Sequence, residues 1–100
     1  MASEVATITL SFTHQPGHAA EVDAFLNSIL PDTRKFEGCR FVHAHRHRTD
    51  ENRVLLIEEW DSVEAYEKYF AWRNSSGTLA PLGPLLAGPP QIDYWPRVVA

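Results

Sequence analysis

The segment RVLLIEEWDSVEAY, residues 53–66, decides the fold. It is apolar at four consecutive positions from Val54 to Ile57, which is typical of a central strand covered on both faces. Asp61, with Glu64 three residues later, resembles the capping box that begins a helix. The segment therefore predicts a strand over 53–60 followed at once by a helix. The apolar stripe of that helix comprises Val63, Tyr66, Tyr69 and Phe70.

The chain before this segment shows two further strands and one further helix. Residues 5–13 alternate strictly between apolar and polar positions, which predicts a first strand. An amphipathic helix follows, and we expect it to end at Pro31, with a short helical stretch over 32–36. Residues 39–48 return to a period of two and predict a second strand, in a hairpin with 53–60. The apolar face of the first helix comprises Val22, Phe25, Leu26 and Ile29.

A short strand over 91–95 completes the order β-α-β-β-α-β. This order predicts an α+β, ferredoxin-like fold with one antiparallel sheet and both helices on one face. We expect a single domain over residues 1–100 with its core in 5–95. Val54 and Ile57 lie on opposite sides of the third strand, so the second face of the sheet is also apolar. In a chain of 100 residues only a second copy can cover that face, which predicts a homodimer.

Charge and hydropathy exclude several classes of protein. The net charge is −4 and the nine Lys and Arg are scattered, so neither nucleic acid nor an anionic membrane is expected as a partner. The longest aliphatic run, Val54–Ile57, is far too short to cross a bilayer. Residues 1–4 carry neither a basic region nor an apolar stretch, so a cytoplasmic location is predicted. The single Cys39 excludes an intrachain disulfide and a cysteine-based metal cluster.

Several short blocks resemble the antibiotic biosynthesis monooxygenase family over about residues 5–95. The resemblance implies a dimeric α/β barrel with a pocket between the helices and the sheet. It also implies oxygenation of quinols, anthrones or related polyphenols by O₂ without metal, flavin or heme. The blocks are Pro16-Gly17, Glu37-Gly38-Cys39, Ile57-Glu58-Glu59-Trp60-Asp61-Ser62, Glu64-Ala65-Tyr66, Leu85-Leu86 and Pro89-Pro90.

The family also contains heme-degrading members, and the resemblance allows a comparison with them. Those enzymes use an Asn on the first strand, a Trp on the second helix and a heme-ligating His near the end of that helix. The corresponding positions here are Leu10, Tyr69 and Leu79. Because the ligand is missing at Leu79, the sequence argues against heme degradation.

Three histidines, His43, His45 and His47, alternate along the predicted second strand and share one face. Positions four apart on a strand are about 13 Å apart, so His43 and His47 cannot bind one ion, and no metal site is expected. A neutral imidazole can accept a proton at neutral pH. We therefore predict that His43 or His45 is the catalytic base, and we interpret His47 as a solvated strand end.

Aromatic residues around the second helix predict a flat pocket for an aromatic substrate. Core packing explains Tyr66 and Tyr69 equally well, and Trp72 is expected to point away from the core. Arg73 and Asn74 are placed to reach a substrate oxygen, or they form a solvated helix end. The predicted substrate-binding residues are Trp60, Tyr66, Tyr69, Trp72 and Asn74.

Glu58 and Glu59 lie on opposite faces of the third strand, so one of them points into a covered layer. We expect that carboxylate to form a structural salt bridge with Arg34, Arg40 or Arg46 and to take no part in catalysis.

The resemblance to this family implies a small dimeric monooxygenase that acts on an aromatic substrate with O₂ and needs no cofactor. Two alternatives stay open. One is a non-catalytic dimeric barrel that binds a small aromatic ligand, and the other is an isomerase or cyclase on the same fold.

Overall fold

The computed structural model describes residues 5–100, so residues 1–4, on which the location was argued, lie outside the described residues. None of the helices in the described part is long and apolar enough to cross a membrane. The elements confirm the predicted order β-α-β-β-α-β, with a short 3-10 helix before the last strand. They are β1 (Ala6–Thr13), α1 (Ala19–Lys35), β2 (Cys39–Arg46), β3 (Arg53–Trp60), α2 (Val63–Ser76), the 3-10 helix (Ala80–Leu85) and β4 (Gln91–Trp95).

The four strands form one antiparallel sheet in the order β2-β3-β1-β4, which confirms the predicted ferredoxin-like α+β fold. Strand β3 is central and pairs with β1 over its whole length, from Ala6 opposite Trp60 to Thr13 opposite Arg53. Its even-numbered side chains are buried beneath the helices, whereas Leu55 and Ile57 lie on the outer face of the sheet. The central position predicted from the apolar run at Val54 is therefore confirmed.

The core between the helices and the sheet has two parts. One, the α1 cluster, packs helix α1 on β1, β2 and β3, and the other, the α2 cluster, packs helix α2 on β1 and β3. The α1 cluster comprises Phe12, Val22, Leu26, Leu30, Val42, Val54 and Leu56. The α2 cluster comprises Ala6, Ile8, Trp60, Tyr66 and Tyr69. The first is mainly aliphatic and the second contains large aromatic rings, and this difference shapes the cavity described below.

Helix α1 runs through Pro31 and ends at Lys35, so the predicted end at Pro31 is wrong. A proline inside a helix removes one backbone hydrogen bond and strains the preceding turn. Here Leu30 and Thr33 on either side of Pro31 are buried against the rest of the core. Tertiary packing therefore outweighs the local signal, and the short helical stretch predicted over 32–36 is the last turn of α1.

A β-bulge at Arg40 changes the phase of β2. Cys39 pairs with Trp60 and Phe41 pairs with Glu59, so Arg40 is an extra residue on this strand. Cys39 therefore faces the helices. A strict period of two over 39–48 predicts instead that Cys39 shares the face of His43 and His45, and that part of the prediction is wrong. His43 and His45 do share one face, as predicted, and it is the outer face. The strand ends at Arg46 and not at Arg48, because the following residues turn toward β3.

Helix α2 begins one residue later than the capping pattern predicts. The Ser62 hydroxyl accepts a hydrogen bond from the Ala65 backbone N–H at 3.1 Å, so Ser62 is the cap. Asp61 instead accepts a hydrogen bond from Arg40 Nε at 2.8 Å. The helix ends at Ser76, and Gly77 follows in the left-handed conformation.

Gly38, before β2, has a positive φ of +92°, and a Cβ there would lie 2.7 Å from the Ala65 Cβ on α2. We expect Gly38→Ala to lower the free energy of unfolding by about 2–3 kcal/mol, from the left-handed backbone and the overpacking together. Gly77→Ala is the matched control, because its φ is +69° and no atom lies within 4 Å of the added Cβ. It should lose only about 1 kcal/mol. Equal losses in urea denaturation would contradict the close packing at Gly38.

Candidate functional site

A cavity of about 220 Å³ lies between the helices and the sheet and spans both core clusters. Aliphatic side chains line much of it, including Leu10, Leu26, Ile29, Leu56, Leu82 and Ile92. Four lining residues carry polar side chains, namely Thr33, Glu58, Tyr66 and Tyr69. The cavity is therefore amphipathic, with polar groups set in an otherwise apolar wall, as in many small-molecule sites.

Glu58 is the one acidic residue of this lining, and it is only 3% exposed. It occupies an inward position of β3 between Leu56 and Trp60, where alternation places every second side chain beneath the helices. Its Oε1 accepts a hydrogen bond from Trp60 Nε1 at 3.0 Å. Within residues 5–100, Oε2 has no hydrogen-bond partner, which leaves this oxygen available to a ligand in the cavity.

Burial raises the pKa of Glu58 above the usual range of a glutamate, and the hydrogen bond from Trp60 opposes this shift only in part. The predicted salt bridge from an arginine to the inward glutamate is wrong. Arg34 donates to the Val42 carbonyl at 3.0 Å, and Arg46 pairs with Asp23. Arg40 contacts the outward Glu59 at 3.6 Å. Glu58 is therefore a buried carboxyl group that holds its proton more tightly than an exposed glutamate and that acts as a base once ionised.

This burial makes the stability of the protein depend on pH. The folded chain keeps the Glu58 proton at pH values where the unfolded chain, with a glutamate pKa of about 4.3, has lost it. The free energy of unfolding therefore falls as pH rises from the unfolded to the raised folded pKa. We expect the stability of Glu58→Gln relative to wild type to increase from pH 4 to pH 8 in urea denaturation. A difference that is constant over this range would contradict the raised pKa.

Arg73 is also buried, at 2% exposure. This contradicts one of the two interpretations drawn from the sequence, in which Arg73 belongs to a solvated helix end. Its Nε donates to the Tyr69 hydroxyl at 2.8 Å, and its Nη2 donates to the Thr33 hydroxyl at 2.9 Å. The Ile29 carbonyl and the Thr78 hydroxyl accept its other hydrogen bonds. Thr33 and Tyr69 both line the cavity, so the guanidinium lies directly behind the cavity wall.

The structure brings some of the predicted substrate-binding residues together and leaves others apart. Tyr66 and Tyr69 line the cavity. Trp60 is fully buried beneath them, with its ring centroid 4.9 Å from that of Tyr69, and it contributes through its hydrogen bond to Glu58. Trp72 is 38% exposed and packs on Phe36, while Asn74 is exposed, and neither lines the cavity. Binding roles for Trp72 and Asn74 stay predictions.

His43 and His45 are exposed on the outer face of the sheet, where the His43 ring stacks on Phe41 at 5.1 Å. The sheet separates both imidazoles from the cavity. Their role as the catalytic base stays a prediction, and it requires a substrate bound on the outer face. The described residues contain no group of three or more side chains arranged to hold a metal ion.

Sequence reasoning missed Glu58 and Thr33 as candidate site residues, and it named Arg73 only as one of two open interpretations. Glu58 had a usable signal, because it alternates with Leu56 and Trp60 on an apolar strand face. Thr33 had none, since its contact with Arg73 and Tyr69 joins two helices that are distant in sequence. Leu10, Tyr69 and Leu79, the positions compared with heme-degrading enzymes, all line the cavity.

Comparisons with known proteins concern both the sequence and the fold. The profile of the family described as antibiotic biosynthesis monooxygenase matches residues 6–79. A candidate antibiotic biosynthesis monooxygenase from Bordetella bronchiseptica is 23% identical with a TM-score of 0.82, over 97% of this chain and 100% of that chain. A Pseudomonas aeruginosa protein is 25% identical with a TM-score of 0.81, over 99% of each chain. No curated protein sequence matches the chain.

A third solved structure is a variant of SnoaB, a cofactor-independent oxygenase from Streptomyces nogalater. It is 17% identical with a TM-score of 0.80, over 93% of this chain and 92% of that chain. At this identity the similarity shows a shared fold.

Proposed function

Because the chain belongs to the antibiotic biosynthesis monooxygenase family, we propose that it oxygenates an electron-rich hydroxylated aromatic compound with O₂ and without a cofactor. The observation that carries this proposal is the buried Glu58 carboxyl group, with one unpaired oxygen, in a cavity that is otherwise apolar and aromatic. The shared fold with SnoaB, a cofactor-independent oxygenase, supports the same class of reaction.

The proposed reaction starts with removal of a proton from an acidic CH₂ or hydroxyl group by the Glu58 carboxylate. For an anthrone-like CH₂ carbon, the resulting carbanion transfers one electron to O₂, and the radical pair combines to a peroxide. Glu58 returns its proton to give the hydroperoxide. Loss of the second C–H proton then breaks the O–O bond and leaves a ketone and water. One oxygen atom enters the product and the other becomes water, with all four electrons supplied by the substrate.

The remaining polar groups of the cavity suit an oxygen-bearing aromatic ring. Burial, together with the nearby Glu58, raises the pKa of Tyr66, so its hydroxyl group stays protonated and can donate a hydrogen bond. In the described part of the chain this hydroxyl has no hydrogen-bond partner, and it is therefore free for a substrate oxygen. The apolar part of the wall excludes water from a reactive carbanion.

The test uses purified protein, treated with a chelator, and a panel of dihydroxynaphthalenes and anthrones with and without ¹⁸O₂. We expect one O₂ consumed per product and one ¹⁸O atom in each product molecule. Turnover that does not need O₂ would instead indicate an isomerase or cyclase. Saturable binding without turnover across the panel would indicate a protein that only binds aromatic ligands, an outcome that the mainly apolar lining also fits.

We further infer that a second copy covers the outer face of the sheet. Leu55 and Trp95 are 37% and 57% exposed there, and Ile57 lies beside them on the same face. We expect light scattering after size exclusion to give twice the 11.3 kDa of one chain, and Leu55→Arg with Ile57→Arg to give a monomer. Val98→Arg, at an apolar residue exposed beyond β4, is the control and should stay dimeric. A monomeric wild type would contradict the inference.

A further inference from the structure

The guanidinium of Arg73 is a buried cation whose hydrogen bonds all go to neutral oxygens. Within residues 5–100, no carboxylate lies within salt-bridge distance of it, although it is only 2% exposed. Burial of a charge without a counter-charge is unfavourable, and its field is screened little by water. The cavity wall formed by Thr33 and Tyr69 therefore has a positive charge directly behind it that no carboxylate of these residues neutralises, while the Trp72 and Tyr69 rings lie 4.6 and 5.3 Å from the guanidinium carbon.

The hydroxyl oxygens of Thr33 and Tyr69 are 2.7 Å apart, and either can donate to the other. If Tyr69 donates to Thr33, the Thr33 proton points to the Ile29 carbonyl over a long 3.4 Å contact. If Thr33 donates to Tyr69, the Tyr69 oxygen accepts two hydrogen bonds, one from Thr33 and one from Arg73. In that arrangement the Tyr69 proton has no acceptor within this network and is available to a ligand in the cavity that Tyr69 lines. The two arrangements differ only by rotation of hydroxyl protons.

A hydroxyl group that accepts a hydrogen bond from a cation becomes a stronger donor, because the bonds of the network polarise one another. We propose that Arg73 and Thr33 prepare the Tyr69 hydroxyl as a donor to an oxyanion, so that the cavity prefers phenolate or enolate anions to neutral phenols. This inference rests on the proposed function, since it names the substrate class of the same cavity. Tyr69 would touch the ligand, and Arg73 acts through it as a positioning residue.

The Tyr69 hydroxyl, with Arg73 and Thr33 behind it, forms an oxyanion subsite that complements the Glu58 carboxyl group. The Trp60 indole contacts both residues. The indole N–H donates to Glu58 at 3.0 Å, and the indole ring lies 4.9 Å from the Tyr69 ring between centroids. When a phenol binds, its O–H bond breaks and the proton moves to the Glu58 carboxylate. The electron pair stays on the phenolate oxygen, which accepts a hydrogen bond from Tyr69. The negative charge is thereby moved from Glu58 toward the Arg73 side of the cavity.

The test measures the apparent pKa of bound 4-nitrophenol, whose phenolate absorbs visible light, in a Glu58→Gln background so that the base does not titrate. We expect the background protein to lower the probe pKa on binding. Arg73→Met and Tyr69→Phe should each reduce the preference for the phenolate at least tenfold, or about one pKa unit. Arg73→Lys should restore part of this preference. Arg34→Met, which removes an arginine outside this cavity, is the matched control and should leave it unchanged.

The inference is overturned if the probe pKa is the same in Arg73→Met, Tyr69→Phe and the background, or if the probe does not bind the background protein saturably. Its failure can be distinguished from failure of the proposed function. Oxygenation without any lowering of the probe pKa would contradict the oxyanion subsite and support the proposed oxygenase activity. A lowered probe pKa without oxygen uptake by wild type would support the oxyanion subsite and contradict the proposed oxygenase activity.

Discussion

Glu58→Gln is expected to lower the rate of oxygenation at least 100-fold, the usual contribution of a general base being about 10²–10⁴-fold. The amide keeps the volume of the side chain, and its oxygen can still accept the hydrogen bond from Trp60 Nε1. It cannot take a proton from the substrate at neutral pH. Oxygen uptake under saturating substrate measures the effect, and urea denaturation shows whether the variant is folded.

The matched control is Glu59→Gln, because Glu59 is the next residue on β3 and faces outward toward Arg40. We expect it to retain full activity.

The wild-type rate should rise with pH through a pKa above the ordinary range for a glutamate, since the active form of Glu58 is the carboxylate. His43→Ala and His45→Ala test the base predicted from the sequence. Activity retained by Glu58→Gln but lost by the histidine variants would contradict the assignment to the cavity.

Trp60→Ala is expected to lower the free energy of unfolding by about 3–5 kcal/mol, the range for large aromatic truncations in cores. Trp60 is fully buried, and its ring packs on Tyr66 and Tyr69 with centroid distances of 5.8 and 4.9 Å. The truncation would also leave Glu58 without its hydrogen bond. A loss of this size is a large fraction of the stability of a small domain, which is about 5–15 kcal/mol. Urea denaturation at pH 7 measures it.

Two further variants separate the causes. Trp72→Ala truncates a tryptophan that is 38% exposed, so we expect a much smaller loss. Trp60→Phe keeps an aromatic ring but removes the N–H group, so it should raise the pKa of Glu58 further and move the pH dependence of activity upward. If Trp60→Ala and Trp72→Ala lost the same stability, the central role of Trp60 in the α2 cluster would be contradicted.

The elements that the sequence predicts best are those with complete local signals. Strands β3 and β4 have the predicted bounds, because an apolar run or alternation in each is enclosed by turn residues. Helix α1 extends past Pro31 because Leu30 and Thr33 are buried in the core. That burial depends on residues distant in sequence, so no local pattern predicts it. Similarly, the bulge at Arg40 arises from pairing with β3, which no local pattern reports.

The candidate site could be predicted only in part. Tyr66 and Tyr69 follow from the helical stripe, and both line the cavity. The face on which His43 and His45 lie could not be predicted, because both faces of β2 carry apolar and polar residues. The burial of Arg73 requires acceptors from α1, namely Thr33 and the Ile29 carbonyl. A long charged side chain at a helix end gives no indication of such partners.

The bulge at Arg40 also determines the surroundings of the single thiol of the chain. By turning Cys39 toward the helices, it keeps the only thiol of the chain off the outer face of the sheet. Burial, with a smaller contribution from Glu58, raises the pKa of Cys39 to about 11, so almost no thiolate is present at neutral pH. Because peroxides oxidise the thiolate form of cysteine, we expect Cys39 to react slowly with hydrogen peroxide at neutral pH.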